Sequence, residues 1–173
     1  MNLPKYHLQP FDVLIENTAG QYKYKYEYSN VYKRLVVDRF LTGTDAHFVN
    51  YGFIVHSYRG SDSHLDAVVV NTPPLYHMRV NTIVQCRAMG ILEMRDEEGD
   101  DPKVLCVPTI DEKAAGWTNY TDIPSWILEG IKHYFSTYKM GSNQESSVVV
   151  GDYLSSADAY HLIEKHWISD PNL

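Results

Sequence analysis

Gly90-Ile91-Leu92-Glu93-Met94-Arg95-Asp96-Glu97-Glu98-Gly99-Asp100-Asp101-Pro102-Lys103-Val104 is the stretch from which the rest of this chain is read. Apolar residues run up to it from Thr82 and away from it to Val107, with five carboxylates packed into the six residues 96–101 between them. Two apolar segments around a charged, glycine-containing loop predict a β-hairpin with a solvated tip. Taken alone, such a loop is an ordinary turn. The same crowding of oxygens is also what a hard cation such as Mg²⁺ requires. The neighbouring segments decide between the two.

Working outward, the first two thirds of the chain have strand character. Phe11 to Glu16 alternates and breaks at the turn signal Asn17-Thr18-Ala19-Gly20, Lys23 to Tyr28 alternates next, and Leu35-Val36-Val37 follows Ser29-Asn30. Tyr22, Tyr24, Tyr26 and Tyr28 mark one face of a strand rather than a base-stacking platform. Ala67-Val68-Val69-Val70 is short, continuous and β-branched, as expected of a strand covered on both faces. Short strands with turns between them predict a barrel or a sandwich.

The last third reads as helical. Asp122-Ile123-Pro124 offers a cap and an early proline, and Ile127, Leu128, Ile131, Tyr134, Phe135 and Tyr138 follow as an amphipathic stripe. Ser155-Ser156 caps a second helix with Ala159, Leu162, Ile163 and Trp167 on its apolar face, and Met140 to Ser147 reads as a loop. With no repeat and no linker, residues 1–173 are expected to form one α+β, mainly β, domain.

Composition narrows the function classes. With 44% hydrophobic and 21% charged residues the chain is an ordinary soluble protein rather than a disordered one. No apolar run approaches the ~18 residues of a membrane helix, and the N-terminal residues lack a signal-peptide core, so a cytoplasmic location without membrane association is expected. The two cysteines, Cys86 and Cys106, lie in apolar strand-like segments and read as buried free thiols. A net charge of −7 argues against a nucleic-acid partner. An anionic substrate remains compatible with that charge when metal ions lie between it and the protein.

The acidic loop, together with Lys25-Tyr26-Glu27, Val37-Asp38-Arg39-Phe40, Asn50-Tyr51-Gly52-Phe53-Ile54 and the helix end Ile131 to Lys139, resembles the soluble family I inorganic pyrophosphatases in order and spacing. The resemblance spans about residues 11 to 140. It implies a small, twisted OB-like β-barrel with two flanking C-terminal helices, assembled as a homo-oligomer, either dimer or hexamer. It implies hydrolysis of pyrophosphate to two phosphates with Mg²⁺, or alternatively Mn²⁺ or Zn²⁺, as cofactor. Asp66, Asp96, Asp101, Glu16 and Glu97 would hold metal, with Glu16 as an outer, substrate-linked ligand. Lys25, Glu27, Arg39, Lys103, Tyr138 and Lys139 would bind substrate, and Asp66, Arg39, Tyr51 and Lys103 would serve catalysis. The division suits the chemistry, because metals activate water as Lewis acids while cationic and hydroxyl donors stabilise charge on the phosphoryl oxygens.

Ser61-Asp62-Ser63-His64-Leu65-Asp66 departs from the family's Asp-x-Asp-Pro-x-Asp. Serines stand where two carboxylates belong, His64 replaces the proline, and His47 takes the place of a tyrosine that contacts product phosphate. A neutral hydroxyl is a poor Mg²⁺ ligand, and loss of a positioned base costs about 10²–10⁴-fold. Two readings stay open: hydrolysis with reduced or altered metal dependence, and binding of pyrophosphate and metal without efficient turnover. An OB-like oligonucleotide binder is disfavoured by the acidity.

Overall fold

Val13 and Ile15 are fully buried while Asp12 and Leu14 are only half covered, the two-residue period of a strand with one face in a core. That strand is β1 (Phe11–Asn17), the first of nine strands and two helices in a computed structural model that describes residues 10–41, 46–60, 63–71, 78–138 and 148–168. The others are β2 (Tyr24–Ser29), β3 (Arg34–Phe40), β4 (Asn50–Ile54), β5 (Asp66–Val69), β6 (Ile83–Asp96), β7 (Gly99–Asp100), β8 (Lys103–Pro108) and β9 (Val149–Leu154). Helix α1 covers Ser125–Thr137 and α2 covers Ser156–His166.

The main sheet runs β1-β4-β5-β8-β6, and β6 returns to pair with β1, so the sheet closes into an OB-like ring. Closure leaves no open edge between those five strands. Every pairing in the ring is antiparallel except β5 with β8. The 14-residue strand β6 manages four partners along its length, pairing with β1 near its start, β8 through its middle, β9 towards its end and β7 at its last residues. Register shifts at Ala88/Gly90 and Leu92/Met94 bend it between them. Beside the first shift, the Ala88 N–H donates to the Tyr160 hydroxyl of α2 at 3.1 Å.

Strand β5 is covered on both faces, as its continuous apolar run predicts. Ala67 and Val69 join a cluster with Ile15, Ile54, Cys106 and the α2 residues Ala159 and Ile163. Val68 and the following Val70 join another with Leu105, Val107 and the α1 residues Ile127, Ile131 and Phe135. Cys86 and Cys106 are buried free thiols. The predicted hairpin is β6–β8, with Gly99 (φ +124°) turning its tip through a conformation that a side chain disfavours. Strands β2 and β3 form a separate two-stranded sheet. Asn17 ties it to the ring: its Oδ1 accepts the Tyr26 N–H at 2.8 Å and its Nδ2 donates to the Tyr26 carbonyl at 2.9 Å.

Three sequence expectations are corrected. Asp122 does not cap α1, because its carboxylate accepts the N–H groups of Thr118 and Asn119 and so closes the 3-10 turn Tyr120–Asp122; Pro124 occupies the α1 N-cap. Trp167 lies past the end of α2, is 42% exposed and packs against His56 rather than the core. The C-terminal third also contains a strand, β9. Its apolar run is short and breaks at Gly151-Asp152, and its pairing with β6 lies too far away in sequence for local periodicity to reveal. Met140 to Ser147 lies outside the described residues. Among the described residues no helix is long and apolar enough to cross a membrane.

Gly52 is where the ring is tightest. It pairs with Ile15 on one side and Ala67 on the other, and an added β-carbon would fall on the Leu14 carbonyl oxygen. Gly52→Ala is therefore expected to destabilise the fold by about 1–3 kcal/mol or more, as overpacking against backbone does. Urea unfolding measures it, and an unchanged midpoint would show that β1 and β4 separate without cost.

Candidate active site

The start of β8 places Lys103 inside the protein, only 3% exposed at the side chain, so its ammonium needs carboxylate partners. The parallel pairing of β5 and β8 supplies one from the first residue of β5: Lys103 Nζ donates to Asp66 Oδ2. Two residues before Lys103, Asp101 Oδ2 accepts from the same ammonium at 2.6 Å. Burial alone would lower the lysine pKa, but Asp66 and Asp101 outweigh it and hold the ammonium charged. The reciprocal balance keeps Asp66 ionised, since burial raises its pKa while Lys103 and a hydrogen bond from Tyr51 pull it down. The Lys103 ammonium lies 5.8 Å from the centre of the Tyr51 ring, and burial pushes the Tyr51 hydroxyl well above its usual pKa.

Around this triad opens a cavity of about 500 Å³. The hairpin β2–β3 forms one wall, where Lys25 and Arg39 are direct cross-strand partners. Both reach Asp38 Oδ2, at 3.0 Å from Lys25 Nζ and 2.8 Å from Arg39 Nε. Burial would raise the Asp38 pKa, but Lys25 and Arg39 reverse the effect and hold it low. The α1 end forms another wall, with Tyr134, Phe135 and Tyr138 stacked edge and face against one another. His47 joins it. Its Nε2–H donates to the Tyr24 carbonyl at 3.3 Å and the Tyr134 hydroxyl donates to Nδ1 at 2.7 Å, a neutral arrangement. Burial pushes the His47 pKa down to about 4 in keeping with it.

Glu16 enters from β1. It is 6% exposed, and its Oε1 accepts the Tyr28 N–H at 2.7 Å. Burial pushes its pKa up to about 8, against the lowering effect of that hydrogen bond, and nearby Asp66 adds to the rise. Asp96 and Asp101 line the opposite side, from the hairpin tip. Glu97 is exposed at the tip and is not part of the cavity lining. Lys139, Ser61 and Asp62 lie outside the described residues. Ser63 donates its hydroxyl hydrogen to the Gly60 carbonyl at 2.8 Å.

Thus Glu16, Lys25, Glu27, Arg39, Tyr51, Asp66, Asp96, Asp101, Lys103 and Tyr138 all border one cavity, although they come from segments far apart in sequence. Two residues that sequence reasoning did not single out support them. Asp38, behind the lining, aligns the two hairpin cations, and Arg59, which borders the cavity, reaches across to Asp101. Asp38 sits in the quoted Val37-Asp38-Arg39-Phe40 block, so its adjacency to Arg39 was the available signal. Arg59 gave no signal beyond a basic residue before a glycine.

The lining carries seven carboxylates and four cationic side chains, so an anion entering the cavity needs additional positive charge. Clustered carboxylate oxygens fit Mg²⁺ or a similar hard cation in donor type. Among the described residues no three of these donors converge into a ready-made cage. The donor set fits a divalent ion, with Asp66 and Asp101 already neutralised in part by side-chain cations.

Comparison with known proteins gives the same family from independent directions. Residues 13–169 match the profile of the inorganic pyrophosphatase family. The chain is 39% identical over 132 residues to an inorganic pyrophosphatase of Ralstonia nicotianae, covering 75% of this chain and 73% of that protein. It is 32% identical over 171 residues to one from Campylobacter jejuni, covering 95% and 96%. Its fold superposes on an inorganic pyrophosphatase of Coxiella burnetii with a TM-score of 0.83 at 31% identity, covering 91% of this chain and 93% of that one. A structure described as an inorganic phosphatase of Anaplasma phagocytophilum gives 0.84 at 33% identity, covering 95% and 93%. With its closed ring, its buried lysine held by two aspartates and these relatives, the chain belongs to the family I soluble inorganic pyrophosphatases.

Proposed function

We propose that this protein hydrolyses inorganic pyrophosphate to two phosphates, using a divalent metal ion held by Asp66, Asp96, Asp101 and Glu16. One observation carries the reading: cations on two separate walls, Lys25 and Arg39 on the hairpin and Lys103 on the barrel, face a single cavity with those carboxylates between them. Mg²⁺ is the proposed ion, with Mn²⁺ or Zn²⁺ as alternatives. Association of copies belongs to the same proposal, which the exposed apolar side chains of Val31, Phe40 and Ile110 suit.

The protein's own groups divide the work. Lys25 and Arg39 donate to phosphoryl oxygens from one side, and the fixed planar fork of Arg39 suits bidentate binding. Lys103, held charged and rigid, offers positive charge where it builds on the leaving phosphate, and the hydroxyls of Tyr51 and Tyr138 add donors. Lys139 belongs to the proposed donor set from the sequence resemblance. A divalent ion supplies Lewis acidity on the phosphoryl oxygens and makes water nucleophilic near neutral pH. Glu97, exposed at the tip, is left to a peripheral role.

The Ser61/Ser63 departure bears on activation of the attacking water. Ser63 offers no carboxylate, and its hydroxyl hydrogen is engaged by Gly60. We therefore expect measurable but reduced Mg²⁺-dependent turnover. The decisive assay is phosphate release from pyrophosphate with Mg²⁺, Mn²⁺ and Zn²⁺ supplied in turn. Release with none of them, while pyrophosphate still binds, would leave a binding protein in place of an enzyme. Restoring both carboxylates, Ser61→Asp with Ser63→Asp, is expected to raise the Mg²⁺ rate by about 10² or more. An unchanged rate would place water activation elsewhere.

Glu16 yields a pH prediction for the metal-free protein. Its folded pKa of about 8 exceeds the ordinary 4.5, so the folded state binds this proton more tightly than the unfolded chain does. Stability from this group is complete below pH 4.5, declines as pH rises from 4.5 towards 8, and levels off above that. Glu16→Gln should remove the decline and exceed the native protein in stability at high pH by about 2–4 kcal/mol. Urea titrations at several pH values read the difference, and parallel curves for the two proteins would contradict the buried, protonated state.

A further inference from the structure

Asp101 stands in the metal-ligand set, yet both of its oxygens face nitrogen cations. Oδ2 accepts from Lys103 at 2.6 Å, and Oδ1 lies 3.3 Å from Arg59 Nη1. Arg59 is anchored as well as charged, because its Nη2 donates to the Asp100 carbonyl at 2.5 Å. Its backbone is tied as well: the Arg59 N–H donates to the Ser63 carbonyl at 2.9 Å, and the next residue, Gly60, takes φ +93°. The side chain is 23% exposed and borders the same cavity as the phosphate-facing cations.

A guanidinium cannot lose its proton in a protein, so this charge is permanent. It occupies space and potential that a divalent ion at Asp101 would need, and like charges at such range repel strongly in a partly desolvated cavity. Neutral Ser63 is held by its carbonyl to the backbone N–H of the cation Arg59. Both features weaken metal binding on that side of the cavity, while keeping positive charge available to an anion.

We propose that Arg59 is a built-in cation that holds Asp101 in place of a divalent ion in the substrate-free protein, and so sets how many ions the site takes up before substrate arrives. This rests on the metal-dependent reading of the cavity given above. Arg59 is thus a residue that determines metal loading, and its action is exerted through Asp101.

The test is a Mn²⁺ titration of the substrate-free full-length protein, followed by the electron paramagnetic resonance of free Mn²⁺. Arg59→Gln is expected to bind one further Mn²⁺ per chain, or to bind its weakest ion at least tenfold more tightly than the native protein. Arg59→Lys, which keeps the charge, should stay close to native. Asp101→Asn should lose none of the Mn²⁺ bound before substrate arrives, because in the substrate-free protein the native carboxylate holds cationic side chains rather than metal; this variant keeps the test decisive if Arg59→Gln fails to fold. Superimposable native and Arg59→Gln isotherms would overturn the proposal, as would loss of one ion in Asp101→Asn. A mere loop clamp would also be disturbed by Arg59→Lys and would give no gain in metal affinity. Pyrophosphate hydrolysis with superimposable isotherms sinks only this inference, whereas absent hydrolysis with separated isotherms sinks only the enzymatic reading. Failure of every variant to bind Mn²⁺ counts against both.

Discussion

A buried ammonium held between two carboxylates is the constraint on which the rest of the molecule depends. Lys103 is 3% exposed, and leaving a charge there without partners would cost several kcal/mol. Asp66 and Asp101 meet it only if β5 lies parallel beside β8 in the observed register and the hairpin tip folds back over the start of β8. The triad therefore specifies the one parallel pairing in the ring as well as the floor of the cavity. Asp66 also joins Tyr51 of β4 to the same network. The group proposed to meet the substrate and the group that fixes strand register are here the same side chain.

Much of this was legible in the sequence, and the reasons differ from part to part. The Ala67–Val70 run reads correctly because a strand buried on both faces has no polar residue to hide its nature. The β6–β8 hairpin reads correctly because its turn chemistry is local. Helix α2 is announced by Ser155 and its capping box with Asp158. Helix α1 is found through its stripe, although Asp122 serves a neighbouring turn, since a carboxylate three residues upstream of a helix has more than one set of N–H groups within reach. Strand β9 stayed hidden because only its pairing with β6 makes it a strand. Arg59 stayed hidden for a related reason: its meaning comes from Asp101, 42 positions away.

The cavity illustrates how an acidic protein with a net charge of −7 accommodates an anionic ligand. Its cations are each tied to a carboxylate, Lys25 and Arg39 to Asp38, Arg59 to Asp101, and Lys103 to Asp66 and Asp101. Such pairing aligns the donors before any ligand arrives, so little side-chain freedom remains to be lost on binding. Glu16 favours its proton for a different reason: it is buried, and the charge of nearby Asp66 adds to the rise.

The parallel pairing of β5 with β8 has a kinetic side. Ala67 meets Val104 and Val69 meets Cys106 only after the whole of β6 and its hairpin have been laid down between them. Closing so long a loop is slow compared with forming a hairpin, and chains dominated by distant contacts fold through late, cooperative closure. Asp66 and Lys103 sit at the first residues of those two strands, so their ion pair forms only when the two strands meet. The seam between two distant strands and the Asp66 side of the cavity floor are thus one and the same contact, so a chain that lacks the first also lacks the second.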